Sequence, residues 1–378
     1  MDLNNKKILV FSHFFAQIKG NFILSFESLA QKLMSEYGVS MAFVFPEAIR
    51  EREWFESFCR QYTTFCTRND VRGSINDVEQ IIRTYQPDIV HTNFEGYDLV
   101  VRKAVYKVSP QTKIVWHLHD PLGYSSNPIV LIYQMKGYLI HYGIKAKDVN
   151  VIGVSNEVTR FTRYHFNVIH PFVKRNDKVI PNGIDVKRLE LNYSENPPSN
   201  TRVFTFLAFG GRNIQKRVDL LYKAAQQLRN KGVTKFMICI VKGTDTLEVF
   251  NSLCNGNIPE WCKLINPTQD IAHLFSTVNC FVSTSIAETF SYAVCEASIF
   301  GLPVIQSNIE GTIWNATNPS TYVFQNENID DLAKRMEDVM RVPTETMRKS
   351  CEKTKLSNLA KYSIGAWCQC ITEFYIRL

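Results

Sequence analysis

Two carboxylates, Glu288 and Glu296, stand eight positions apart in the stretch Ser285–Val304, which reads SIAETFSYAVCEASIFGLPV. Eight residues are a little over two helical turns, so within one helix both would share a face. An apolar run, Cys280–Val282, precedes the pair, and Gly301-Leu302-Pro303 reads as a helix stop before a second strand. The pattern predicts strand, loop carrying Glu288, helix opening near Phe290–Tyr292 and carrying Glu296, turn, strand. In a parallel α/β unit such a loop lies at the C-terminal edge of the sheet, where these folds bind ligands. The first amides of a helix lack internal partners and sit at the positive end of its dipole, so they suit a phosphate. A carboxylate one turn further on suits ribose hydroxyls, and one in the preceding loop suits the hydroxyls of a sugar.

Two other clusters carry chemistry. After the strand-like run Thr205–Phe209 comes Gly210–Arg217, GGRNIQKR, and a helical pattern from Val218. Its glycines let the backbone approach a ligand, while Arg212 and Lys216 place positive charge at a strand-to-helix turn. The second cluster, His117-Leu118-His119-Asp120, closes the strand-like run Lys113–Trp116. Polar residues at such a strand end point into the ligand crevice. As a metal site, three ligands on one short loop lack a distal partner. Neutral histidine donating a hydrogen bond to a sugar hydroxyl is the preferred role.

The elements that must position these residues alternate in type along the chain. Lys7–Phe11 reads as a buried strand, followed by a loop with His13 and Gly20, a helix from about Phe22 to Tyr37 and a strand at Val39–Phe45. Pro87 breaks a helical run before the strand Asp88–His91, and Asn150–Ser155 reads as another buried strand. Ile180–Asp185, IPNGID, is a strong turn signal, and the polar, Pro-Pro-containing segment Leu189–Thr201 reads as a linker. Phe236–Val241, Lys263–Asn266, a helix from Asp270, and the helical run Ile329–Arg341 continue the alternation in the second half.

The whole-chain properties bound the reading. At 378 residues, 45% hydrophobic and 21% charged, the chain has the length and composition of two globular domains. No apolar run approaches the roughly 20 residues of a membrane-spanning helix, and the N-terminus passes directly into a strand, without the pattern of a cleaved secretion signal. The 10 cysteines are scattered, none in C-x-x-C, which reads as reduced thiols in a cytoplasmic protein. The formal charge of +7 is modest, but Arg102, Lys103, Lys107, Lys113, Lys136, Lys145 and Lys147 face only Asp120 between Val101 and Lys147. Such a surface, with its aromatics, suits an anionic membrane or a lipid-phosphate acceptor, or is simply solvated. No recognition motif accompanies it to indicate nucleic acid.

Four ordered elements, HLHD, IPNGID, GGRNIQKR and AETFSYAVCEA, together resemble glycosyltransferase family 4, retaining enzymes with the two-domain GT-B architecture. The resemblance covers nearly the whole chain. It implies an α/β fold of two Rossmann-like, doubly wound domains facing across a cleft. Residues 1–185 would form the acceptor domain, rejoined by a C-terminal helix at about 360–378. Residues 186–200 would be the linker and 201–359 the nucleotide-sugar domain. The implied reaction moves a sugar from a nucleotide-sugar, a UDP-sugar by preference, to an acceptor hydroxyl with retention of configuration.

In that resemblance Arg212 and Lys216 hold the donor diphosphate with the amides of Phe290, Ser291 and Tyr292, and Gly211 admits the phosphates. Glu296 holds the ribose and Glu288 the sugar. A histidine of the first domain, His117 or His119 with His117 preferred, contacts the sugar. The glycine that usually follows the lysine is Arg217 here, a candidate to replace or supplement Lys216. The first loop keeps Gly20 as a donor-binding candidate, followed by Asn21 where a second glycine is common. No Asp-x-Asp occurs, which fits a metal-independent enzyme whose nucleotide-sugar is a co-substrate rather than a cofactor. The acceptor would be a glycan or lipid-linked, the setting bacterial surface polysaccharide or glycoconjugate synthesis, the place cytoplasmic or peripheral at the inner face of the membrane. The rival readings are a catalytically silent GT-B partner subunit, a GT-B sugar-nucleotide epimerase, and a nicotinamide dehydrogenase, the last disfavoured because no G-x-G-x-x-G follows the first strand.

Overall fold

A computed structural model describes residues 1–190 and 203–378, apart from the Arg72 side chain. The chain divides into two compact units: Met1–Gly183 with Ile364–Leu378, and Ile184–Ser363. Most of the segment read as a linker lies outside the described residues. The stretch before it does not link: Val186–Leu189 forms a turn of 3-10 helix with Leu189 buried, and the Ile184 amide donates to the Tyr362 carbonyl at 2.7 Å. That pairing is why 184–189 belongs to the second unit, and why this unit runs to Ser363.

The first unit is built on seven parallel strands, β1 (Lys7–Ser12), β2 (Ser40–Pro46), β3 (Thr63–Thr67), β4 (Ile89–Asn93), β5 (Lys113–Leu118), β6 (Asn150–Gly153) and β7 (Asp177–Val179). Their order in the sheet is β3-β2-β1-β4-β5-β6-β7. The second unit carries β8 (Phe204–Phe209), β9 (Phe236–Val241), β10 (Cys262–Ile265), β11 (Cys280–Ser283), β12 (Val304–Ser307) and β13 (Thr321–Phe324). Its order, β10-β9-β8-β11-β12-β13, repeats the doubly wound pattern. Both sheets are parallel throughout, and their central strands are buried on both faces, as continuous apolar runs such as Ile8–Phe11 require.

Helices cover each sheet on both sides. In the first unit one core packs Phe26, Leu29 and Leu33 of the helix Gly20–Tyr37 together with Trp367, Ile371 and Tyr375 of the helix Ile364–Ile376. The last helix therefore completes the first unit although the second unit separates it in sequence. The winding direction reverses between β1 and β4 in one sheet and between β8 and β11 in the other. Such switch points leave a crevice beyond the strands' C-terminal ends. In the second unit the loops at that crevice are Gly210–Arg217 and Thr284–Ser291, the two segments singled out by residue chemistry.

Candidate functional site

The loop after β8 is held by backbone contact. A Cβ on Gly243 would overlap the backbone of Gly211, and one on Gly210 would come within 2.7 Å of the Val241 carbonyl oxygen. Only glycine lets the ends of β8 and β9 touch so closely. The Asp245 carboxylate then accepts from the Asn213 amide at 2.9 and 3.0 Å, starting the short helical turn Asn213–Lys216. Arg217 follows in the left-handed conformation, φ 48°, and the helix Val218–Asn230 begins. That conformation explains why glycine suits the position.

This basic turn is stitched to the carboxylate loop. The Ile286 amide donates to the Gln215 carbonyl at 2.9 Å, Gln215 Nε2 to the Ala287 carbonyl at 3.0 Å, and Thr284 Oγ1 to the Lys216 carbonyl at 2.7 Å. Lys216 Nζ forms an ion pair with Glu288. From the other side, a Cβ on Gly311 would overlap the Glu288 carbonyl, so the loop is clamped between two neighbours.

The next helix, Tyr292–Phe300, opens at this loop, and its N-cap Ser291 makes no side-chain cap. The Ser291 amide is already engaged, donating to the Gly311 carbonyl at 3.1 Å. The first bond within the helix is from Cys295 to the Ser291 carbonyl, and the amides of Tyr292, Ala293 and Val294 find no acceptor among the described residues. Of the amides expected to face a ligand, Phe290 to Tyr292, that of Ser291 is thus taken, while Tyr292 and, beyond it, Ala293 and Val294 are open at the helix start. Phe290 contributes packing, stacked on Trp314 with ring centroids 5.2 Å apart. Burial, helped by the nearby Glu296 charge, pushes the Tyr292 phenol well above its ordinary pKa.

Glu296 is buried on this helix and accepts from Arg188 Nη1 at 3.3 Å. Arg188 escaped the sequence reading, and its one signal is its place just after IPNGID. Arg217 points its guanidinium at Asp219 (3.0 Å) and Glu327. Arg212, by contrast, is exposed and forms no ion pair among the described residues. The unit thus gathers one uncommitted cation, one lysine–carboxylate pair, an open helix N-terminus and a second, half-sequestered carboxylate. This set can hold a diphosphate, with hydroxyl acceptors on either side of it.

The first unit presents a different set. His91 on β4 and His117 on β5 share a sheet face with Asn93 and His119, because β4 and β5 pair His91 with Val115 and Asn93 with His117. The His117 and His119 rings lie 4.2 Å apart, and His119 Nε2 is 3.1 Å from Asn93 Oδ1. Asn182, inside the IPNGID turn, also hydrogen-bonds His119. Burial depresses His91 and His119 to about 3 and carries His117 well below its usual value, so all three are neutral. His119 keeps 9% of its surface exposed and His117 none, which makes His119 the ring at the rim and reverses the preference for His117.

Phe94 lies against His119 with centroids 4.7 Å apart. Its backbone, φ 63° and ψ 146°, occupies a region nearly reserved for glycine. Strain of this kind concentrates at functional sites, and residue pattern alone did not reveal it. Gly20 has φ 56° and opens the helix Gly20–Tyr37, two residues earlier than the periodicity indicated.

Comparison with known proteins places both halves in one group. Residues 45–188 match the family model for Glycosyltransferase Family 4, and residues 191–356 match that for Glycosyl transferases group 1. No curated protein matches the chain in sequence. Similar solved structures include a glycosyltransferase from Rickettsia africae ESF-5, 18% identical over 98% of both chains, with a TM-score of 0.77. Anabaena HepE, solved in complex with UDP and glucose, is 16% identical over 99% of this chain and 100% of its own, TM-score 0.77. Sucrose-phosphate synthase from Thermosynechococcus elongatus is 14% identical over 98% of both, TM-score 0.74. At these identities the likeness is one of fold.

Proposed function

We propose that this chain, which belongs to the family 4 glycosyltransferases of GT-B architecture, transfers a sugar from a UDP-sugar to an acceptor hydroxyl with retention of configuration. The observation that carries this reading is the second unit's stitched pair of loops, which joins Lys216 to Glu288 beside the open amides of 292–294. UDP is preferred because HepE, of the same fold, was solved with UDP and glucose.

In the proposed mechanism the departing nucleoside diphosphate gathers negative charge on its terminal phosphate. Arg212, Lys216 and the 292–294 amides meet that charge without reorganising, which lowers the barrier to glycosidic cleavage. Gly211 keeps the path to the phosphates free of side chains. Glu296 takes the ribose hydroxyls, Arg188 holding its carboxylate in place, and Glu288, held by Lys216, takes hydroxyls of the transferred sugar. His119 donates or accepts a hydrogen bond at the sugar as a neutral ring. The acceptor's proton passes to the donor phosphate, so no side-chain nucleophile is needed, and side-chain cations supply the charge that a metal supplies elsewhere. Arg217, committed to Asp219 and Glu327, is assigned to the turn's structure.

The acceptor we propose is a glycan or lipid-linked one, used at the cytoplasmic face of a bacterial membrane. The helix Pro128–Tyr138 supports this: none of its residues is buried, and Ile129 and Tyr133 are 68% and 71% exposed. With Lys136, Lys145 and Lys147 beside it in sequence, such a helix suits an anionic lipid surface. Among the described residues no helix is long and apolar enough to cross a membrane.

Binding is tested by thermal shift and calorimetry with UDP, GDP, ADP, CMP and their sugars, with Glu296→Ala alongside. One nucleoside diphosphate should stabilise the wild type and lose that effect in the variant. Binding of none would overturn the transferase reading in favour of a silent subunit. The anomeric configuration of the product, read by NMR, tests retention.

A further inference from the structure

A hydrogen-bonded line runs up one face of the first sheet, from the last helix toward the C-terminal strand ends. Tyr375 Oη lies 2.6 Å from His91 Nδ1, and His91 Nε2 lies 3.2 Å from His117 Nδ1. All three side chains are fully buried. His117 Nε2 ends the line with no partner among the described residues. The His117 ring lies under His119, the residue at the rim.

Two proton arrangements satisfy the two internal bonds. In one, Tyr375 donates to His91 Nδ1, His91 Nε2–H donates to His117 Nδ1, and His117 carries its hydrogen on Nε2. In the other every bond is reversed: His91 Nδ1–H donates to the phenol oxygen, and His117 Nδ1–H donates to His91 Nε2. The reversed arrangement leaves the buried Tyr375 hydrogen without an acceptor as well as His117 Nε2 without a donor. The first leaves a single unmet group, an N–H on His117. Because each buried unmet polar group carries a desolvation cost, the first arrangement prevails.

We propose that Tyr375 and His91 are positioning residues that lock the buried His117 as an Nε2–H donor beneath His119, and so fix the ring on which the rim histidine rests. The proposal rests on the transferase reading for the role of His119, but not for the tautomer. A ring held in one tautomer gives His119 a fixed support, so the line acts on the rim histidine from below. The phenol sets the direction of the whole line from the far end. No charge is involved at any step: each ring stays neutral and no proton crosses between residues.

The test uses the full-length protein with 15N-labelled histidine. Long-range 1H–15N NMR spectra separate the Nδ1–H from the Nε2–H tautomer for each ring. Nε2–H on both His91 and His117 in the wild type is expected, and Nδ1–H on either overturns the proposal whether or not any sugar is transferred. Tyr375→Phe removes only the directing hydroxyl. It should leave UDP affinity on the second unit within twofold and convert His117 to a mixture of tautomers. It should also lower kcat for transfer about tenfold with KM little changed. An unchanged kcat with a shifted tautomer removes the positioning role while leaving the transferase reading intact. Loss of UDP binding in the wild type removes the transferase reading while the tautomer result still stands on its own.

Discussion

The two units' candidate clusters have opposite electrostatics. In the second unit, charge is kept: Arg212 is exposed, Lys216 is ion-paired with Glu288, and Glu296 sits against Arg188. In the first unit, charge is removed: His91, His117 and His119 lie on one sheet face, and burial keeps all of them neutral. The two strand orders correspond, but the charged loops follow β8 and β11 on either side of the reversal, and the histidines stand on β4 and at β5, one strand further along. The difference comes from what the loops carry. Glycines and a short helical turn keep Arg212 near solvent, while aromatic packing by Phe22, Phe94 and Phe26 seals the histidines. A diphosphate calls for preset charge, and a sugar hydroxyl calls for a fixed neutral partner.

The comparison breaks most sharply at Lys216. Lys216→Ala should lower transfer by about 100-fold or more, since it removes a preorganised cation and leaves Glu288 unpaired. Steady-state rates with saturating donor read this directly. Equal loss in kcat and kcat/KM would place the effect in the transition state.

Acid should separate the two units next. For the buried histidines the folded pKa lies below the unfolded value near 6.5, so between about 6.5 and 3 the unfolded chain binds protons that the native one does not. Stability is therefore full above that range and falls as pH falls through it. His91 and His119 should each cost about 2 kcal/mol of stability by pH 5. Chemical denaturation from pH 7.5 to 5 measures the slope, and His91→Gln should flatten it.

Gly311→Ala sharpens the contrast from the second unit's side. The added methyl would meet the Glu288 carbonyl, so it should displace the carboxylate loop and cost about 1–3 kcal/mol of stability. Calorimetry should show weakened UDP-sugar binding with the histidine NMR signals unmoved. The smallest effect is expected at Arg217. Arg217→Gly loses the pairs to Asp219 and Glu327 but relieves a left-handed backbone, so stability should change by less than about 1 kcal/mol. Donor affinity should stay within threefold of wild type. A loss as large as that of Lys216→Ala would return Arg217 to the diphosphate site.

The edge strands Thr63–Thr67, Asp177–Val179 and Thr321–Phe324 were not legible in the sequence. They are short and largely half-buried, so neither continuous apolarity nor alternation marks them. The helix Pro128–Tyr138 left no periodic signal for another reason: it is apolar around its circumference and buries no residue. The central strands were legible because burial on both faces demands unbroken apolar runs. Glu288 in its loop and Glu296 on its helix were legible too, bounded by a strand before and a glycine stop after.

By itself the sequence determined which residues could do chemistry and at which strand ends they would emerge, because strand ends, glycines and caps are local properties of the chain. Tertiary structure alone decided their partners. Lys216 meets Glu288, Arg188 meets Glu296, Asn182 meets His119, and Tyr375 reaches back to His91. Each of these contacts joins residues far apart in the chain, and each depends on packing that no local propensity encodes. The same packing settled which histidine is at the rim and which arginine is uncommitted, because burial and ion pairing are set by neighbours and not by residue type.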